Sequence, residues 1–177
     1  MRLHCETIVA HIDTPWTRLA SLTARGLLAR KGCTYDELSR TLGSIGIEES
    51  PKSVELRIQR GAFRCSFFLQ LVCALHADLP TALQRILDNK TTWEDACREI
   101  ALAHLPEGAF SPRLSKRLEQ AGIHISPTQL ESRVNSGTFS FALLLQLSHV
   151  YPIPGLERFV DCSDVAKAAS EADVAHP

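Results

Sequence analysis

Residues 38–71 and 114–147 are one segment written twice. From Leu38 the chain reads LSRTLGSIGIEESPKSVELRIQRGAFRCSFFLQL, and from Leu114 it reads LSKRLEQAGIHISPTQLESRVNSGTFSFALLLQL, in register and without a gap at an offset of 76 residues. Leu38, Leu42, Gly46, Ile47, Pro51, Glu55, Arg57, Gly61, Phe63 and Gln70 recur as Leu114, Leu118, Gly122, Ile123, Pro127, Glu131, Arg133, Gly137, Phe139 and Gln146. The match covers apolar spacing, turn glycines and a helix cap together, so composition alone does not produce it. A small unit has been duplicated, and its function is expected from two surfaces held at a fixed distance.

A chain of 177 residues that is 45% hydrophobic has material for one medium domain or two small ones, and the repeat favours two. No stretch approaches the roughly 18 uninterrupted apolar residues of a membrane span. The start, MRLHCETIVAHID, carries an acid where a secretory signal needs an apolar core, so a cytoplasmic protein is expected. The six cysteines are never two or three residues apart, which leaves out the usual zinc spacing, and neither a metal nor another cofactor is expected. Net charge is −1, whereas a nucleic-acid binder commonly shows a basic excess because phosphate contacts supply much of its affinity. Any positive surface must therefore be local.

Punctuation along the chain predicts helices throughout. Thr14-Pro15-Trp16 is a cap, a first-turn proline and an apolar anchor, and Lys31-Gly32 is a stop. Thr34 with Glu37 has capping-box spacing. Ser50-Pro51 opens a short helix with Val54 and Ile58 turned inward, closed by Gly61, and a nearly continuous apolar helix follows from Ser66 to Leu75. Thr92-Trp93, Ser111-Pro112, Ser126-Pro127 and the run Phe141 to His149 repeat that plan. Gln70 and Gln146, polar amid apolar neighbours, are expected to bond a loop backbone. The resulting division is an N-terminal arm over 1–13, a first repeat over 14–87, a second over 92–160 and a flexible tail over 161–177, whose small, alanine-rich residues have little to bury.

The order of a Thr34-capped helix, a turn, a second helix ending in Gln59-Arg60-Gly61 and a leucine-rich helix with Phe68-Leu69-Gln70-Leu71 resembles the helix-turn-helix of lambda-repressor-like (Xre-type) DNA-binding domains. The resemblance spans about residues 22–80, and more weakly about 98–155. Three departures are visible: the turn from Gly43 to Glu49 is long, Val54 and Ile58 are spaced by four, and the second copy has Asn135-Ser136-Gly137 without the basic residue. The resemblance implies an all-α fold of two tandem small helical bundles, each with a helix-turn-helix core. It also implies sequence-specific double-stranded DNA binding by a bacterial or mobile-element transcriptional regulator acting as a homodimer.

A helix laid in the major groove offers its outward side chains to base edges, while flanking residues meet phosphates. The residues so implied are Thr34, Lys52, Ser53, Arg57, Arg60 and Arg64 in the first copy, and Thr128, Gln129, Arg133 and Asn135 in the second. Arg57 is the candidate for bidentate pairing with guanine. Arg60, Arg64 and the backbone N–H of Thr34 are candidates for phosphate. Ser136 and Ser140 stand where Arg60 and Arg64 stand in the first copy, so the first copy is expected to grip DNA more firmly. The alternative is a protein-interaction adaptor on a duplicated bundle, with DNA binding lost or confined to the first copy. No nucleophile arrangement, phosphate loop or paired-carboxylate motif points to an enzyme.

Overall fold

The computed structural model describes residues 13–120 and 123–174, so the N-terminal arm before Asp13 and the pairing of Gly46 with Gly122 lie outside the described residues. The fold is all-α. The first unit contains α1 (Pro15–Lys31), α2 (Tyr35–Ser44), α3 (Pro51–Arg60), α4 (Cys65–Ala74) and α5 (Thr81–Asn89). The second contains α6 (Trp93–Leu102), α7 (Pro112–Gln120), α8 (Pro127–Ser136), α9 (Phe141–Val150), a 3-10 turn at Leu156–Arg158 and α10 (Cys162–Val174).

Local chemistry sets these boundaries. Thr14, Thr34, Ser50, Thr92, Ser126 and Ser140 each accept a backbone N–H in the first turn of the helix that follows, which satisfies one of the otherwise unpaired donors there. Gly61 and Gly137 close α3 and α8 with φ of 66° in both, the left-handed conformation that glycine adopts without steric cost. Val54 and Ile58, with their counterparts Leu130 and Val134, are completely buried. Each such side chain contributes roughly 1.5–3 kcal/mol on burial, and together they fix which face of α3 and α8 turns outward.

The two units share one core, and they do so across a local two-fold axis. Arg64 and Ser140, equivalent positions of the repeat, face each other in an antiparallel bridge. The Cys65 N–H donates to the Phe139 carbonyl over 2.9 Å, and the Phe141 N–H donates to the Phe63 carbonyl over 3.0 Å. Reciprocal bonds between equivalent residues are what a two-fold produces in an antiparallel pair. The packing obeys the same operator: α1 lies against α3, α9 and α10, while α6 lies against α8, α4 and α5. Around the axis, the Phe68 and Phe141 rings stack at 3.9 Å and the Phe63 and Phe141 rings at 5.8 Å.

Two expectations are corrected. Over Cys162–Val174 the tail is not loose: α10 fills, beside α1, the place that α5 fills beside α6. Val165, Ala168, Ala169 and Ala172 recur at helical spacing and are buried, and α10 packs against α1 and α9. Gln70 and Gln146 are half-buried, and among the described residues neither amide makes the expected bond to a loop backbone. Trp16 is buried as expected of a core anchor, whereas Trp93 is half-buried under the Lys90 ammonium, 4.3 Å from the ring centre.

Candidate nucleic-acid interface

Each unit has two helices joined by a turn, α2–α3 and α7–α8, with a hydrophobic fourth helix behind. With Val54 and Ile58 inward, α3 presents Lys52, Ser53, Leu56, Arg57 and Arg60 to solvent. With Leu130 and Val134 inward, α8 presents Thr128, Gln129, Ser132, Arg133, Asn135 and Ser136. Arg60 and Arg64 are exposed beyond these contacts, Arg60 at the end of α3 and Arg64 on the axis itself. The expected residues are therefore outward-facing in both copies, and the fold joins them into one symmetric pair of surfaces.

Their electrostatics differ from what the bare alignment suggests. In the first unit the Arg57 guanidinium is 2.8 Å from Glu49 and lies over the Phe67 ring at 4.8 Å. The Lys52 ammonium is 2.8 Å from Glu55, and the Ser53 hydroxyl donates to Glu49 over 3.2 Å. Glu49 is thus shared by two outward groups of α3. Its counterpart in the second unit is Ile125, buried at 8% exposure, and among the described residues Arg133 has no ion pair.

Thr34 is occupied as well. Its N–H and its hydroxyl both donate to Glu37 at 2.8 Å, so the donor expected to meet a phosphate is spent within the capping box. These bonds stabilise the carboxylate and hold the Glu37 carboxyl below its ordinary value of 4.5. Gln129 serves a related purpose, its side-chain oxygen accepting from the Ser126 N–H over 3.4 Å.

Cations absent from the expected set stand on α7. Arg113, Lys116 and Arg117 are all exposed, and Arg117 donates to the Tyr151 hydroxyl over 3.0 Å. Across residues 35–60, Arg40, Lys52, Arg57 and Arg60 are outweighed by Asp36, Glu37, Glu48, Glu49 and Glu55. Across the equivalent 111–136, Arg113, Lys116, Arg117 and Arg133 outweigh Glu119 and Glu131. The second unit therefore carries the more positive helix-turn-helix. Comparing charge rather than identity across the repeat is the sequence signal that finds this.

Behind α8, a cleft of about 410 Å³ opens against the start of α1, with Arg133 and Gln129 on its rim and Trp16 in its wall. Among the described residues no three His, Cys, Asp or Glu side chains converge to hold a metal ion, and no helix is long and apolar enough to cross a membrane. A family model described as a domain of unknown function (DUF6471) matches residues 16–79 and 107–153, more than half of the chain. No curated protein and no solved structure matches it.

Proposed function

The chain belongs to the DUF6471 family, and from its own geometry we propose that it is a sequence-specific double-stranded DNA-binding protein acting in the cytoplasm as a transcriptional regulator. The observation that carries this reading is the pair of outward helices, α3 and α8, on two helix-turn-helix units related by a local two-fold. A two-fold presents both helices toward the same end of its axis, as two successive major grooves on one side of a duplex require.

Their separation is compatible with that use. Arg60 and Arg64 are four residues apart, at most about 14 Å of chain. Helix α3, at about 15 Å long, then has its midpoint within roughly 22 Å of the axis. The two midpoints are thus within about 44 Å of each other, a bound that includes the ~34 Å between half-sites one turn apart. In this reading Arg57 and Arg133 meet base edges, with Ser53 and Gln129 beside them. Arg60, Arg64, Arg113, Lys116 and Arg117 meet phosphates. Thr34, Lys52, Thr128 and Asn135 lie at the margins.

The direct test is binding of the full chain to selected duplexes in a titration of salt. Specific retention with log affinity falling linearly against log salt is expected. Retention by no sequence would end this reading. The rival, a protein-interaction adaptor, is favoured by the pairing of Arg57 and Lys52 with Glu49 and Glu55, which leaves fewer free cations on the first unit. An adaptor would show no enrichment of any duplex.

A further inference from the structure

The proposed reading leaves open what kind of DNA site is recognised, and the repeat itself narrows the answer. A regulator that forms two-fold dimers from identical chains presents identical helices to its two half-sites, so its operator is palindromic. Here both helices come from one chain, related by the bridge at Arg64 and Ser140, and their outward residues differ. Lys52, Ser53, Leu56 and Arg60 on α3 stand where α8 has Thr128, Gln129, Ser132 and Ser136; only Glu55/Glu131 and Arg57/Arg133 coincide.

Resting on the DNA-binding reading, we infer that a single chain recognises one non-palindromic duplex site, made of two unlike half-sites in inverted orientation about one helical turn apart. The shared Arg57 and Arg133 ask for a guanine in each half. The exposed Leu56 offers an apolar contact suited to a thymine methyl, which the hydroxyl of Ser132 does not replace. Gln129 is suited to adenine once its side-chain oxygen leaves the Ser126 N–H, whereas Ser53 in the first half is shorter and donates to Glu49. Arg64 on the axis has only Ser140 opposite it, so the centre of the site is gripped asymmetrically as well. The homodimer expected from sequence is unnecessary for this, because the second reading helix is already attached.

The experiment is enrichment of a randomised double-stranded 30-base-pair library by the full chain, followed by the mass of the complex with the winning duplex. Expected are two different half-sites of opposite backbone polarity and a complex one chain, 19.5 kDa, heavier than the duplex. Replacing one half-site by an inverted copy of the other should weaken binding about tenfold or more, since several base pairs become mismatched. A palindromic consensus, or two chains per duplex, would overturn the inference while leaving DNA binding intact. Enrichment of no sequence would overturn the DNA reading and this inference together. A variant carrying Thr128→Lys, Gln129→Ser, Ser132→Leu, Asn135→Gln and Ser136→Arg puts the outward residues of α3 onto α8 through exposed positions only. Its selected consensus should become palindromic, and an unchanged consensus would show that these residues do not read bases.

Discussion

Gly61 rests directly on Thr17: a Cβ built on the glycine would stand 1.8 Å from the Thr17 carbonyl oxygen. The second unit repeats the contact, with Gly137 bringing a Cβ within 2.0 Å of the Glu94 oxygen. Alanine at either position meets rigid backbone and also a left-handed conformation that costs about 1–2 kcal/mol by itself. Gly61→Ala and Gly137→Ala should each destabilise the fold by about 4 kcal/mol or more in urea unfolding. A loss below about 1 kcal/mol would mean that the first turns of α1 and α6 move aside easily.

Ser39 and Ser115 are equivalent in sequence and unequal in structure. The Ser39 hydroxyl donates to the Glu49 carbonyl over 2.5 Å, whereas the Ser115 hydroxyl is buried without a partner. Ser39→Ala should cost about 1 kcal/mol, and Ser115→Ala should be neutral or slightly stabilising, because it removes an unsatisfied polar group. Equal losses in thermal unfolding would refute the difference.

Glu49 restrains Arg57, so removing its charge frees a guanidinium on the face proposed to meet DNA. Arg57 is exposed while Glu49 is half-buried, so the pair is worth about 1 kcal/mol, the upper end of the range for surface pairs, and Glu49→Gln should tighten binding to the selected duplex by about fivefold. Arg133→Ala should cost more than Arg57→Ala, the reverse of the order expected when only the missing arginines of the second copy are counted. Fluorescence anisotropy at fixed salt measures both.

Acid should loosen the start of α2. The Glu37 carboxyl titrates below its ordinary value in the fold because Thr34 donates to it, so its contribution is present above pH 4.5 and is lost as pH falls through the depressed value. Nuclear magnetic resonance of the Glu37 carboxyl should give a midpoint below 4.5, and Thr34→Ala should move that midpoint upward. An unchanged midpoint in the variant would remove Thr34 as its cause.

Capping threonines and serines, turn glycines and the inward pair Val54/Ile58 were legible because each acts within one turn of helix. What escaped reading depends on partners far along the chain. Ala168, Ala169 and Ala172 look inert until α1 and α9, far earlier in the chain or in the second unit, supply the surface that buries them. Nothing in Phe63-Arg64-Cys65 announces that it will pair with Phe139-Ser140-Phe141, because backbone pairing leaves little trace in side-chain pattern. In the interface, the outward faces of α3 and α8 followed from periodicity, but the hold of Glu49 on Arg57 depends on where a turn delivers its last residue.

Helix α1 is made early and completed late. It packs on α9 and α10, and Arg18 reaches Glu171 at 3.5 Å across 153 residues of sequence. During synthesis at roughly 5–20 residues per second, α1 therefore waits on the order of ten seconds for its last partners. The apolar flank of α4 likewise waits for α6 and α9. Most helical bundles close through near neighbours and fold fast, whereas here the first described helix closes upon the last, contacts that can form only late. The nascent first unit thus leaves the ribosome with its sticky surfaces uncovered, and holdase chaperones that bind such surfaces should matter more for its yield than for that of an ordinary helical protein of this size.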